Sequence, residues 1–499
     1  MLILAVGSAV AIGAKRLGVA YNVALVLVGL ALVLLEVLPA VPFDPELIMI
    51  GVLPVLVFEG ALFSNLDHLR AASKPVLALA IPGVLLALLG TATVATWALD
   101  LPFTVALLLG AILAITDTVS VLLAFRTVRV PPRLAAIMEG ESLFNDGTAL
   151  VLVSTTAAIA TGAHASLLDA GRALTVAIVG GVLFGGVFGA LGAALLRATP
   201  DHLTAVLLTI VVVFGTSLLA EEVHASPVIA VVIVGLVMGG AARRSLPSSH
   251  VLALTGFWET IGFALNVLVF LLVGMQIDAA QLLAEGPAIL LALGAMHIGR
   301  ALAVYGSFAV LRIVRERLPR SWQHAMVVGN IKGALSMAAV LALPASVPAR
   351  ERIIAIVFGV TFFTLVMQAL PFPHLLRLLK VIRGTAHVDL EAARVRLVAA
   401  RSGQAELDAL LAAGLVSRRA HAERRAELQR EALLADRVLR TADIEGEDLH
   451  LEVAVLRAQR GALAEASHRG TVDGDAALAH LAELDERILK ARDRAEGVE

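Results

Sequence analysis

Long apolar segments separated by short polar loops follow one another along residues 1–384. About 20 apolar residues are enough for a helix to cross the hydrocarbon core of a bilayer, and about thirteen such segments are present. The pattern predicts an all-α integral membrane protein with about 13 transmembrane helices. The predicted spans are residues 2–14, 22–40, 46–63, 75–98, 103–125, 132–160, 173–196, 203–220, 226–241, 251–276, 287–311, 324–344 and 352–372.

The density of charged residues changes after residue 384. Charged residues make up about 11% of residues 1–384 and about 34% of residues 385–499, where Ala and Leu recur among charges of both signs. We therefore expect a transmembrane domain over residues 1–384 and a helical domain in water over residues 385–499. Regulation of the membrane domain is one hypothesis for the role of this tail, and simple packing is the other.

Composition argues against several classes of function. The chain has 59% hydrophobic residues, no Cys and a net charge of −2, so we expect no disulfide, no thiolate metal site and no nucleic-acid partner. It contains neither a Gly-x-x-x-x-Gly-Lys-Ser/Thr phosphate loop nor a His-Glu-x-x-His zinc motif, which argues against an ATP-driven pump and a metalloprotease. The protein is therefore not expected to be an enzyme or to need a cofactor.

Basic residues in the loops predict the orientation, because loops rich in Lys and Arg stay on the cytoplasmic side of the membrane. The opposite side carries little beyond Arg172, Arg350 and Arg352. This asymmetry predicts a multi-pass protein of the plasma membrane with its C-terminal tail in the cytoplasm. The residues assigned to the cytoplasmic side are Lys15, Arg16, Arg70, Lys74, Arg126, Arg129, Arg133, Arg197, Arg243, Arg244, Arg312, Arg315, Arg317, Arg320, Arg377, Lys380 and Arg383.

Ionisable residues inside the predicted spans are the first candidates for function, because an unpaired charge at bilayer depth is costly. Six of the eight are acidic, so a cavity lined by them would attract cations and protons rather than anions or sugars. Two of them, Glu139 and Glu259, lie near predicted span ends and are expected to be solvated or locally paired. The eight residues are Glu59, Asp117, Glu139, Glu141, Asp146, Glu259, Arg300 and Lys332.

The sixth predicted span concentrates polar side chains within about one and a half helical turns. Ser142 and Asp146 are four residues apart and share one face, whereas Glu141 and Asn145 share the adjoining face. The first pair offers a hydroxyl and a carboxylate. These are the hard oxygen ligands that replace the water around a small alkali cation.

Two predicted spans contain sequences that interrupt a helix. Residues 115–120 combine Thr, Asp and Val, which disfavour helical hydrogen bonding, and residues 329–333 contain two Gly. Unwinding would free carbonyl oxygens such as that of Thr116 as cation ligands, and Lys332 would offset carboxylates and negative helix ends. Breaks at corresponding positions of two halves predict inverted repeats with two discontinuous crossing helices.

The segment Glu141–Thr148, Glu-Ser-Leu-Phe-Asn-Asp-Gly-Thr, resembles the Asn-Asp motif helix of the monovalent cation/proton antiporter superfamily, the sodium/proton exchangers, in its electroneutral branch. Together with further similar segments it covers most of residues 1–384 in the family's order. The resemblance implies an exchanger that takes alkali cations and protons as substrates, and a homodimer. The further segments are residues 53–60, 299–302 and 332–336, and Trp258-Glu259 with Asn266.

Carried over by position, the resemblance implies a set of oxygen ligands for the transported ion. Asp146 would be the main carboxylate that binds the cation and the proton. Asp117, Ser142 and the Thr116 carbonyl would complete the shell around Na⁺, and Glu59 would assist from nearby through water. From the residues alone, Ser142 and Thr116 could instead bond back to the preceding helical turn, and Glu59 could belong to the scaffold.

The resemblance also implies roles for neighbouring residues. Glu141 and Arg300 would form a buried ion pair that holds the transmembrane core together, and the uncharged Asn145 would accompany electroneutral exchange. Thr118 stands where the family most often has Pro, which leaves the detailed geometry of the fifth span open. Lys332 stands where the family more often has Arg, so the positive charge is kept.

Together these observations predict a secondary transporter that exchanges one monovalent cation for one proton by alternating access. A proton and an alkali ion compete for the same buried carboxylate, so each displaces the other. Na⁺ is the expected cation, with Li⁺ and K⁺ as alternatives. A cation channel, which would also use acidic residues, and a receptor that acts through its tail are the other classes left open.

Overall fold

The computed structural model describes residues 2–17, 20–37, 44–117, 120–121, 124–125, 128, 130–162, 167–199, 201–314, 316–381 and 385–441, with scattered residues between 455 and 488. Within these ranges the regular structure is entirely helical, as the apolar pattern predicts. The chain divides into two compact units, Met1–Ile382 and Arg383–Glu499.

The first unit is a bundle of helices that we label in chain order. The described helices are α1 (Leu2–Leu17), α2 (Tyr21–Leu34), α3 (Leu53–Phe63), α4 (Leu66–Ala71), α5 (Ser73–Ala78), α6 (Val84–Leu99), α7 (Phe103–Ala114), α8 (Pro132–Ala160), α9 (Leu167–Ala198), α10 (His202–Glu222), α11 (Pro227–Ser245), α12 (Ser248–Met275), α13 (Ala279–Ala284), α14 (Gly286–Leu311), α15 (Arg320–Val328), α16 (Ala334–Leu341), α17 (Arg350–Phe363) and α18 (Phe372–Leu378). Stretches of π-helix precede α3, join α5 to α6 and follow α17; they are Leu47–Val52, Leu79–Gly83 and Thr364–Ala369.

Each predicted span overlaps a helix or a pair of helices in the described part of the chain. Eight of these helices are long and apolar enough to cross a membrane, which makes the protein a multi-pass membrane protein. The twelfth predicted span is divided between α15 and α16. The exact number of spans stays a prediction. Four shorter apolar helices match the first, second, third and fifth predicted spans: Ala5–Ala14, Tyr21–Leu34, Leu47–Phe63 and Phe103–Ala114.

Helix contacts divide the first unit into two bundles. In the first bundle α6 packs along α14 and α7, α7 packs on α8, and α17 packs on α14 and α16. In the second bundle α9 packs along α11, α2 packs along α12, and α3 packs along α11. Helix α8 also contacts α3, α9 and α11, so the polar motif that it carries lies where the two bundles meet.

Small residues bring α9 and α11 close together in the second bundle. A Cβ added at Gly185 would lie 2.4 Å from the carbonyl oxygen of Ala230, a separation that only glycine permits. The outward face of α9 is apolar, and Leu183, Val187 and Leu191 are all more than half exposed. This face is suited to lipid or to a second subunit.

The second unit contains two further helices, α19 (Thr385–Ala412) and α20 (Arg418–Thr441), which pack against each other. Asp408 of α19 joins them, since its Oδ1 lies 2.7 Å from His421 Nε2 and accepts a hydrogen bond of 2.6 Å from Arg425 Nη1. The tail is therefore helical over residues 385–412 and 418–441, as its composition predicts. Its location in the cytoplasm stays a prediction.

Candidate ion-binding site

Two interrupted helices cross in the first bundle. Helix α7 ends at Ala114 and helix α15 ends at Val328, and the residues that follow each end are not helical. The backbone N–H of Asp117 donates to the carbonyl oxygen of Ile331 at an N···O distance of 2.8 Å. The two breaks that the sequence predicts are therefore present and in direct contact.

Lys332 lies at the carbonyl end of α7. Its Nζ donates to the carbonyl oxygen of Ile115 at 2.8 Å and to Asn330 Oδ1 at 2.7 Å, and its side chain is fully buried. Its backbone N–H donates to Thr364 Oγ1 in the π-helical stretch after α17. Because the last carbonyls of a helix lack partners and carry partial negative charge, a buried ammonium stabilises this end of α7.

Asn145 closes the same helix end from α8. Its Nδ2 donates to the carbonyl oxygen of Ala114 at 2.9 Å and lies 3.4 Å from Thr116 Oγ1. Both contacts require a donor, which an amide supplies and a carboxylate does not. Asn145, the neutral residue of the Asn-Asp pair, is therefore a hydrogen-bond donor at the break.

Oxygen atoms gather on one side of the crossing. Thr116 Oγ1 and Ser142 Oγ are 3.0 Å apart, and Ser142 Oγ lies 3.5 Å from the Thr116 carbonyl oxygen. These two residues line a small cavity together with Asp117, Glu139 and Glu141. Hydroxyl, carbonyl and carboxylate oxygens are the ligands that a hard alkali cation takes.

Asp146 lies one helical turn beyond Ser142 on α8. Its Oδ1 is buried and has no hydrogen-bond partner among the described residues. The buried Oδ1 of Asn145 also lacks a partner within that set. Buried polar atoms are nearly always hydrogen-bonded, so two open acceptors on adjacent residues make this a candidate position for a ligand. A bound cation or proton would satisfy the carboxylate.

Glu141 and Arg300 form a bidentate ion pair beside the cavity. Arg300 Nη1 donates to Glu141 Oε1, and Nη2 donates to Oε2 at 2.9 Å. Arg300 Nε also donates to the carbonyl oxygen of Met326 at 3.1 Å, so one side chain of α14 holds both α8 and α15. Both partners are buried, and removal of either would leave an uncompensated charge.

The sequence profile described as sodium/hydrogen exchanger, transmembrane, matches residues 1–378 of this chain. The chain belongs to the sodium/hydrogen exchanger family. Among named relatives of this exchanger, the Na⁺/H⁺ antiporter NhaS2 of Synechocystis sp. is 36% identical over 509 residues, which cover 99% of this chain and 93% of the relative. The Na⁺/H⁺ antiporter ApNhaP of Aphanothece halophytica is 38% identical over 73% of this chain and 71% of its own.

A solved structure has the same fold as the exchanger. The sodium proton antiporter MjNhaP1 from Methanocaldococcus jannaschii matches with a TM-score of 0.63, over 76% of this chain and 97% of that chain. Sequence identity in this match is 22%, so the match is evidence for the fold alone. The all-α transporter architecture predicted from the sequence is confirmed.

The remaining acids of the exchanger occupy different places. Glu59 lies against α12 of the second bundle, where a Cβ added at Gly262 would approach its Oε2 to 2.2 Å. Glu259 is exposed. Glu139 lines the same cavity as Ser142, and its Oε1 accepts a hydrogen bond from the Ser64 hydroxyl. Glu139 shares one helical face with Ser142 and Asp146. This spacing is the sequence signal that could have placed Glu139 near the site.

Asn22 makes a polar contact with the exchanger's site that the sequence did not predict. This fully buried residue of α2 donates through Nδ2 to Ser120 Oγ, and Ser120 Oγ donates to Asp117 Oδ2. The Ser120 backbone N–H also approaches Asp117 Oδ2 at 3.3 Å. A side chain of the second bundle is therefore connected to a candidate cation ligand of the first. Thr118, where the sequence departs from the family, lies outside the described residues.

Proposed function

We propose that this exchanger moves Na⁺ and H⁺ in opposite directions across the membrane by letting them compete for Asp146. The observation that carries the proposal is the buried Asp146 Oδ1, without a partner among the described residues, one turn from Ser142 at the crossing of two broken helices. The named relatives are Na⁺/H⁺ antiporters, and the match to NhaS2 extends over nearly the whole of both chains. The channel and receptor alternatives gain no support from the family.

The proposed cation shell consists of oxygen atoms from both sides of the first break. Asp146 supplies the carboxylate that either ion neutralises, and Asp117, the Ser142 hydroxyl and the Thr116 carbonyl supply the remaining ligands. The close approach of Ser142 Oγ to both oxygens of Thr116 supports this assignment. Glu59 acts only through water in this proposal, because its carboxylate lies against Gly262 of α12.

The exchange is proposed to be electroneutral, with one cation moved for one proton. Asp146 has the same charge when it holds Na⁺ as when it holds H⁺, and Asn145 adds no second exchangeable charge. An unloaded carboxylate crosses the apolar part of the membrane only at a high cost. Alternating access therefore proceeds with either ion bound, and this couples the two flows.

We further propose the plasma membrane as the location, with the tail in the cytoplasm and two copies in the assembly. The basic residues that cluster in the loops of one side support the orientation. The exposed apolar face of α9, which carries Leu183, Val187 and Leu191, supports a second copy. Regulation of exchange by the helical tail remains a hypothesis beside simple packing.

Substitution of Asp146 by Asn tests the assignment, because it removes the charge and keeps the side-chain shape. We expect Asp146→Asn protein in proteoliposomes to show no Na⁺-driven change of internal pH, measured with a fluorescent pH dye. The matched control is Asp100→Asn in an exposed loop, at a positive φ that Asn also tolerates, and it should exchange at the wild-type rate. Wild-type exchange by folded Asp146→Asn protein would refute the assignment.

A further inference from the structure

A second cavity opens where the chain passes from α14 to α15, apart from the residues that line the ion-binding cavity. Its walls come from the end of one helix and the beginning of the next, so it lies at the edge of the bundle rather than in the middle. It is lined by Tyr305, Ala309, Arg312, Arg320, Gln323 and His324.

The cavity is positively charged. Arg312 and Arg320 are exposed, and neither has an ion-pair partner among the described residues. The one acid in the sequence between residues 305 and 328 is Glu316, and it is already paired with Arg133 of α8. Two guanidinium groups therefore remain available for an anion, and their planar forks match the oxygens of a phosphate.

The two walls of the cavity are joined. The Tyr305 hydroxyl of α14 is hydrogen-bonded to His324 Nδ1 of α15 at 2.6 Å, and Gln323 Nε2 donates to the carbonyl oxygen of Leu318. Arg320 is the first residue of α15, whose N-cap Pro319 offers no side-chain acceptor to the first N–H groups. The uncapped start of this helix adds partial positive charge to that of the arginines.

Apolar surface adjoins these charges. Val310, Ile313 and Val314 are 65%, 80% and 54% exposed, which is typical of side chains that face hydrocarbon. Tyr305 is 39% exposed and lines the cavity with the arginines, and tyrosine is enriched at membrane interfaces. Inorganic phosphate would gain nothing from the apolar residues, whereas a lipid would bury its acyl chains against them.

We propose that this cavity binds the headgroup phosphate of an anionic membrane lipid. Arg312 and Arg320 hold the phosphate oxygens, and the lipid's acyl chains lie along Val310 and Ile313. Basic cavities between transmembrane helices at the side rich in Lys and Arg suit such headgroups. The site is separate from the exchange site, and the proposal does not depend on the proposed function.

Native mass spectrometry of the detergent-purified full-length chain tests the proposal, with phosphatidylglycerol, phosphatidylcholine and inorganic phosphate as probes. The test variant is Arg312→Gln/Arg320→Gln. The matched control, Arg197→Gln/Arg377→Gln, removes the same charge from two other exposed arginines, in the last turns of α9 and α18. The variant Arg312→Lys/Arg320→Lys keeps the charge at the cavity and checks that the effect is electrostatic.

We expect the wild type to retain phosphatidylglycerol in preference to phosphatidylcholine. Each arginine should contribute about fivefold, so the Gln double variant should bind phosphatidylglycerol about 25-fold more weakly. The control variant should bind as the wild type does, and the Lys variant should recover most of the binding. Equal binding by the test and control variants would overturn the proposal. Displacement of the lipid by millimolar inorganic phosphate would identify a free-phosphate site instead. A wild type that binds both lipids equally would overturn the proposal without any variant.

Discussion

Polar side chains at the crossing have two separate tasks. The nitrogen donors of Lys332 and Asn145 close the carbonyl end of α7 through Ile115 and Ala114. The Asp146 Oδ1, in contrast, is left open by the described groups. Because protein donors already neutralise the helix end, Asp146 is not needed for that task, which supports its proposed role as the carboxylate that binds the transported ion.

The contact from Asn22 through Ser120 to Asp117 leads to a prediction at the residue scale. Asn22→Leu keeps the approximate size of the side chain and removes the donor, so Asp117 is held less firmly. We expect the apparent KM for Na⁺ to rise about tenfold, about 1.4 kcal/mol, while kcat changes little. Initial rates of Na⁺-dependent pH change in proteoliposomes provide the measurement.

A double-mutant cycle with Ser120→Ala controls this prediction. If the two residues act through one hydrogen-bonded chain, the double variant should raise KM no more than either single variant. Fully additive effects would show that Asn22 acts on the site by another route, such as packing between α2 and α12. A fall in kcat with unchanged KM would contradict a positioning role as well.

The residues that the sequence could identify are the ones whose chemistry is unusual for their setting. Asp117, Glu141 and Asp146 are acids in apolar segments, and the i,i+4 spacing relates Ser142 to Asp146. Asn22 carries no charge and lies 98 residues from its partner Ser120, so no local pattern indicates the contact. Long-range pairing of neutral polar groups depends on how helices are arranged, which periodicity does not reveal.

At the scale of elements, the crossing depends on the close approach of two non-helical segments. The sequence predicted both breaks, because Thr, Asp and Gly disfavour helix where they occur. It did not predict the hydrogen bond from Asp117 to Ile331, which requires α7 and α15 to end at the same depth. The register between two helices follows from packing along their whole lengths rather than from the break sequences.

Gly333 tests how closely the two breaks must approach. A Cβ at this position would lie 2.8 Å from both Cβ and Cγ of Asp117, so Gly333→Ala must push the segments apart. We expect exchange to be lost and thermal stability to fall by about 1–3 kcal/mol, the usual cost of overpacking. Exchange assays and thermal unfolding in detergent measure the two effects.

The matched control for this substitution is Gly294→Ala. Gly294 lies within α14, and an added Cβ would meet no atom within 4 Å. Alanine is favoured over glycine in a helix, so this variant should keep full exchange and gain about 0.5–1 kcal/mol of stability. Equal loss of exchange in both variants would mean that the close contact at Gly333 is not the cause.

At the scale of the whole molecule, the membrane unit combines one bundle that contains the crossing with a second bundle that carries an apolar outer face. The apolar pattern was sufficient to predict the helices, because each needs only its own segment of about 20 residues. The division into two bundles was not predictable in this way. It depends on which helices pack together, as α6 does with α14 and α2 does with α12, and these helices are distant in sequence.

The balance of charge over a complete transport cycle gives a prediction for the whole molecule. In the proposed cycle Asp146 changes its ligand from Na⁺ to H⁺ without a change of net charge, and the Glu141–Arg300 ion pair stays neutral. If one net charge crossed in each cycle, a potential of 100 mV would contribute about 2.3 kcal/mol, roughly a fiftyfold change in the ion ratio at equilibrium. We instead expect the initial rate and the final pH in proteoliposomes to be the same with and without a potential imposed by K⁺ and valinomycin. A pH change driven by the potential alone, absent from Asp146→Asn vesicles, would show that a second charge moves and would contradict one-to-one exchange.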